Sequence, residues 1–152
     1  ADYAQFQLAR SYAAQMLAPE RDQSATRDAI KEIEIFLQRY PNSALMPEAR
    51  QLEREARDRQ SQAGYRVGYF YYRARWYPGA IDRFQEVLKS DPEYTGRDAV
   101  YFHLGESLYR TDKKAEALPY YERLLREFEQ SEYLAEAQQR VAELKGGSPA
   151  GR

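Results

Sequence analysis

The sequence predicts an all-α protein built from a repeated pair of helices, and three observations predict it. The stretch WYPGAIDRFQEVLKSDPEY, from Trp76 to Tyr94, carries Ala80, Ile81, Phe84, Val87 and Leu88 as an apolar stripe at helical period. The stripe recurs upstream as Ala29, Ile30, Ile33 and Leu37, and downstream as Ala117, Leu118, Tyr121 and Leu125. In each copy a marker (Pro41, Pro92 or Glu129) follows the alanine by 12 residues. Three copies in fixed register are the signature of a repeat protein. Strand signals are absent along the chain.

Taken in order, Ala4, Phe6, Leu8, Ala9, Tyr12, Ala13 and Met16 make a first amphipathic helix ending near Leu17-Ala18-Pro19. The polar loop PERDQSAT follows, with Ser24 or Thr26 available as an N-cap. A helix over 26–40 is stopped by Tyr40-Pro41-Asn42-Ser43. From Pro47 to Arg73 only Gly64 and Gly68 weaken a helix of roughly 40 Å at 1.5 Å per residue. Its first half is polar almost all round, with Glu53–Arg57 and Glu55–Arg59 spaced as i,i+4 ion pairs, and reads as a solvated rod or a surface lying against a partner. Its second half, GYRVGYFYYRARWY, is dense in aromatics. A helix over 78–90 has Pro78 in its first turn, where a missing N–H costs nothing, and Pro92 beyond its exit. Helices over 97–110, 115–128 and 132–145 complete the set, and residues 146–152, GGSPAGR, read as a disordered tail.

Each recurring alanine is preceded by an outer helix carrying a small residue and, three positions on, an aromatic or leucine: Ala9 and Tyr12, Gly68 and Tyr71, Gly105 and Leu108. The small residue lets the partner helix approach closely. It precedes the alanine by 12 residues in the second and third copies and by 20 in the first, which places an insertion in the loop before Thr26. This is the tetratricopeptide pattern. The expected architecture is an α-α superhelix forming one domain over 1–145, with repeats at 2–43, 47–94 and 97–131 and a capping helix at 132–145. Gly68 reads as a close-packing residue, whereas Gly64 reads as packing or as a bend.

A chain of 152 residues can bury a real core, and its net charge of −1, with charges interleaved, favours neither nucleic acid nor an anionic membrane. No cysteine and a single histidine exclude thiolate chemistry and an ordinary zinc site, so no cofactor is expected. Carboxylates spaced i,i+2, such as Glu32/Glu34 and Glu127/Glu129, diverge on a helix. No phosphate loop or nucleophile with an adjacent base is present, and an enzyme is not expected. No apolar run reaches the length of a membrane span. The opening ADYAQFQLARSY is already at helical period and reads as a cut inside a larger protein.

Two surfaces are candidates for binding. Tyr65, Tyr69, Tyr72 and Trp76 lie at i, i+4, i+7 and i+11 on one helix face, and Tyr3, Phe6, Phe102 and Tyr109 fall on equivalent faces. They read as a concave peptide groove or as packing within the stack. Arg83 projects beside the buried stripe, with Asp82 and Glu86 near enough to hold it. His103 reads as a surface or groove-edge residue.

The inserted loop, RDQSATRDAIKEIEIFLQRYPNS with its Tyr-Pro-Asn-Ser exit, and QAGYRVGYFYYRARWYPGAIDRFQEVL occur together in this order. Over residues 2–135 the chain resembles the BamD family, the outer-membrane assembly lipoproteins of Gram-negative bacteria, in their central and C-terminal repeats. The resemblance implies a non-catalytic periplasmic scaffold, held at the outer membrane only through a lipid anchor that this chain lacks. Its expected partner is a protein, a periplasmic POTRA domain of BamA, with other assembly lipoproteins as further possibilities and no nucleic acid. In that family an arginine in the second helix of the penultimate repeat takes part in docking. The motif Ala80-Ile81-Asp82-Arg83-Phe84 places Arg83 there, flanked by Asp82 and Glu86. The other reading is a peptide-binding adaptor or periplasmic envelope coordinator that uses the aromatic groove.

Overall fold

The computed structural model describes residues 1–16 and 22–146. All regular structure among them is helical: α1 (Asp2–Ala13), α2 (Ser24–Arg39), α3 (Met46–Arg73), α4 (Tyr77–Ser90), α5 (Arg97–Arg110), α6 (Lys114–Glu127) and α7 (Leu134–Lys145). α1 ends at Ala13 with Ala14 as its C-cap, short of the expected stop near Leu17-Ala18-Pro19, and those three residues and the tail from Gly147 onward lie outside the described residues. The chain divides into two compact units, Ala1–Ala63 and the part from Gly64 onward, with the boundary inside α3.

In the first unit Ala9, Ala29, Ile30, Ile33 and Ala56 form one cluster, and Phe6, Phe36 and Ala49 a second. The expected rod is not simply solvated. Ala49, Leu52 and Ala56, at i, i+3 and i+7, turn a narrow face of α3 into these clusters, and both alanines are fully buried. Charges occupy the remaining faces, where Arg57 bridges Glu53 at 3.5 Å and Glu34 of α2 at 2.5 Å. The cap of α2 also differs from expectation. Ser24 is already helical and Thr26 is buried, while Asp22 accepts hydrogen bonds from the Ser24 N–H at 3.2 Å and the Ser24 hydroxyl at 2.8 Å. Those bonds hold the Asp22 carboxyl below its ordinary value. An acid ahead of the first turn does the work assigned to a hydroxyl within it.

In the second unit α5 is buried from Val100 to Leu108, with α4, α6 and α7 arranged around it. Its apolar core joins Ala80, Phe84, Leu104, Ala117, Tyr121 and Leu124. Here the recurring small residue has a measurable purpose. A Cβ added to Gly68 would lie 2.6 Å from the Phe84 ring, and one added to Gly105 would lie 2.8 Å from the Tyr121 ring. Phe84 and Tyr121 each stand four residues after their alanine, so small and large side chains fit together in the same register twice. Ala9 and Ile33 occupy the same positions in the first unit and share a cluster. Gly64 obeys the same logic against Val87, at 2.9 Å. Gly105→Leu should therefore destabilise the second unit by roughly 1–3 kcal/mol through overpacking. An unchanged melting transition would show that Tyr121 can swing clear.

Two further repeat features emerge only in three dimensions. The turns joining α3 to α4 and α5 to α6 each hold a residue at φ 62°, Arg75 and Asp112, five positions before the alanine. One left-handed residue lets the chain reverse in so short a connection, at some steric cost for a side chain with a Cβ. The exits of α2 and α6 are tied by matching bonds. The Ser43 hydroxyl donates to Asp2 at 2.6 Å and accepts from the Leu45 N–H, and the Ser131 hydroxyl donates to Asp98 at 2.7 Å and accepts from the Tyr133 N–H. The aspartate precedes the small residue by seven positions and the serine follows the alanine by 14, so each bond closes one hairpin. In the middle copy Ser61 and Tyr94 stand at these positions, and both are buried.

Candidate interaction face

Tyr65, Tyr69 and Tyr72 do share a face of α3. Their rings stack in sequence, with centroids 5.9 and 6.0 Å apart. The object at their centre is His103 of α5, expected at the surface or a groove edge and in fact only 6% exposed. Tyr65, Tyr69, Tyr72, Phe84, Phe102 and Tyr133 surround its imidazole, with centroids 5.0 to 6.3 Å away. Its Nδ1 lies 2.8 Å from the Ala99 carbonyl oxygen, which can only accept, so Nδ1 carries the proton. The Tyr65 hydroxyl is 3.2 Å from the same nitrogen.

Burial lowers the His103 pKa below its ordinary value, and the bond to Ala99 with the charges of Glu106 and Glu132 opposes that only in part. The sign of the resulting pH dependence follows. As pH falls through the ordinary histidine value, about 6.5, the unfolded chain takes up a proton that the folded chain resists. The melting temperature of the second unit should therefore fall between about pH 7 and pH 5, and His103→Phe should flatten that slope. Equal slopes in the two proteins would assign the acid sensitivity to another group.

Two expected groove residues lie elsewhere. Trp76 does not continue the tyrosine row, because α3 ends at Arg73 and the left-handed Arg75 redirects the chain. Its indole covers Gly79 and meets Tyr71 edge-on at 4.9 Å. Tyr109 belongs to a polar cluster on the α5–α7 side. The Arg140 guanidinium lies 3.9 Å over its ring, and its hydroxyl donates to Glu143. Arg140 also grips Glu106, Nε to Oε2 at 2.8 Å and Nη2 to Oε1 at 3.1 Å, while the Tyr121 hydroxyl donates to the same carboxylate. Burial pushes Glu106 upward, yet the bonds from Arg140 and Tyr121 outweigh it and hold the group below its ordinary value. This cluster ties α7 to α5 and α6. A carboxylate so fully paired is built for structure and not for proton transfer.

Asp82, Arg83 and Glu86 are all exposed on α4. The expected local pairing is not formed: among the described residues Arg83 has no ion pair or hydrogen bond. Arg83 stands one turn beyond Gly79, the residue that the Trp76 indole covers. From Trp76 the aromatic surface passes to Tyr71 and then to Phe70, whose ring lies 5.9 Å from that of Tyr71. Trp76 is 55% exposed, Phe70 69% and Val67 39%, large values for side chains that favour burial. Sequence reasoning passed over Val67 and Phe70 because they fall off the tyrosine row. One signal was present: no acidic residue occurs between Asp58 and Asp82, while Arg59, Arg66, Arg73 and Arg75 do. Exposed Trp and Phe beside Arg is the composition of a protein-binding hot spot.

The helix hairpins, with small residues packed against large rings in a repeated register, define a protein of the tetratricopeptide class. A tetratricopeptide repeat family model matches residues 99–131, the α5–α6 hairpin with its exit. The family model YfiO, described as an outer membrane lipoprotein, matches residues 1–110. The chain belongs to this YfiO family of outer membrane lipoproteins. No curated protein matches it. Among the described residues no helix is long and apolar enough to cross a membrane.

Proposed function

We propose that this chain is a periplasmic scaffold of the outer-membrane β-barrel assembly machinery that docks on a POTRA domain of BamA through the face around Arg83. One observation carries the reading. Among the described residues the exposed Arg83 makes no ion pair or hydrogen bond, and the same unit exposes Trp76 and Phe70. Such a group fits a carboxylate on a folded partner, with Asp82 and Glu86 at the rim to set register. Membership of a lipoprotein family supports the location. The other reading, a peptide adaptor using the aromatic groove, is less favoured, because Tyr65, Tyr69, Tyr72 and Phe102 are engaged with His103 and one another. Calorimetric titration with an isolated POTRA domain and with short extended peptides separates the two. Heat from the peptides alone would overturn the scaffold reading.

A further inference from the structure

We infer that the cleft between α1 and the first half of α3 is a docking groove for an amphipathic helix of a partner protein that carries basic residues seven positions apart. The cleft has a volume of about 710 Å³ and lies wholly within the first unit. Its α1 wall is Tyr3, Phe6, Gln7 and Arg10, at i, i+3, i+4 and i+7. Its α3 wall includes Glu48, Gln51, Leu52 and Glu55, in the same spacing. Two stripes at helical period lining one cleft are what a third helix packs onto, reading them with its own i, i+3, i+4 and i+7 positions.

The chemistry of the walls selects that helix. Phe6 and Leu52 supply an apolar floor, and Tyr3, 63% exposed, extends it at one end. Glu48 and Glu55 sit on one side of the floor, seven residues and therefore about 10.5 Å apart along the axis. Among the described residues neither carboxylate has an ion pair; Glu55 accepts only a 3.3 Å hydrogen bond from Gln51. A docked helix with lysine or arginine at two positions seven apart presents two cations at the same spacing, with apolar residues between them for the floor. On the opposite wall Arg10, whose guanidinium lies 6.0 Å from the Phe6 ring centroid, is left for an acid on the docked helix.

The test uses the full chain and a fluorescein-labelled 14-residue helical peptide with leucines flanked by two lysines seven apart, read by fluorescence anisotropy. A second peptide replaces both lysines with glutamate. The lysine peptide should bind at least about tenfold tighter than the glutamate peptide. The double variant Glu48→Lys/Glu55→Lys, with unchanged circular dichroism, should reverse that preference. Equal affinity for both peptides, no reversal in the variant, or no binding of the lysine peptide at millimolar protein would each overturn the assignment. So would equal binding of a proline-interrupted lysine peptide that cannot form a helix. If the chain alone dimerises in sedimentation and the double variant does not, the occupant is a second copy and the partner-helix assignment falls.

Discussion

Arg140→Ala is expected to destabilise the second unit by about 3 kcal/mol at neutral pH, measured by chemical denaturation. The Glu106 carboxylate is only 5% exposed, and Arg140 supplies two of its hydrogen bonds together with its nearest cation. Without that guanidinium the carboxylate keeps the Tyr121 hydroxyl and Arg110, whose nearest nitrogen is 4.0 Å away, and so stays largely uncompensated away from water. The pH dependence identifies the cause. In the parent chain the Glu106 pKa is held down, so the pair's contribution is present above the ordinary glutamate value and is lost as pH falls through the folded value. In Arg140→Ala burial dominates and raises that pKa, so acid neutralises the stranded charge. The stability gap between the two proteins should narrow from about pH 7 to about pH 4. Glu106→Leu/Arg140→Met should recover most of the loss, since an apolar pair of similar size removes the desolvation penalty. A gap independent of pH would place the effect in lost packing over Tyr109.

The second large effect concerns binding. Arg83→Glu should leave the melting temperature unchanged, because the side chain is exposed and makes no ion pair or hydrogen bond among the described residues. In the POTRA titration the same substitution should cost on the order of 2–5 kcal/mol, enough to remove measurable binding. Replacing the facing acid of the partner with lysine should restore part of it. Tight binding by Arg83→Glu would take this residue out of the interface, and the docking face with it.

What was legible in the sequence is whatever local periodicity controls. Ala29, Ala80 and Ala117 announce the inner helices because each heads an apolar stripe, and all three are fully buried. The small residues Ala9, Gly68 and Gly105 are found from them by counting. The buried face of the polar rod was present as Ala49, Leu52 and Ala56, but alanine adds so little apolar surface that arginines and glutamates conceal the stripe. His103 could not be placed this way. Its walls come from α3, from α4, from α5 itself and from the residue before α7, and no spacing on one helix reveals that convergence. Glu106 and Arg140 are 34 residues apart and equally silent. Trp76 failed for a local reason, since a helical count cannot be carried through a residue in the left-handed region. Of the proposed docking face, Arg83 came from family resemblance, and Phe70 from exposure alone.

The fit of Gly68 to Phe84 and of Gly105 to Tyr121 also bears on how such a chain can change over generations. Each pair occupies one fixed volume divided unequally between two helices. A larger residue at the glycine is tolerated only after the ring opposite has shrunk, and a smaller ring leaves a void until the glycine grows. The two positions therefore behave as a single heritable character: one mutation lowers fitness, and the second restores it. Descendants should carry either member's change only with the other's, and a helix grafted from a different repeat should succeed only when its hairpin partner is transplanted with it.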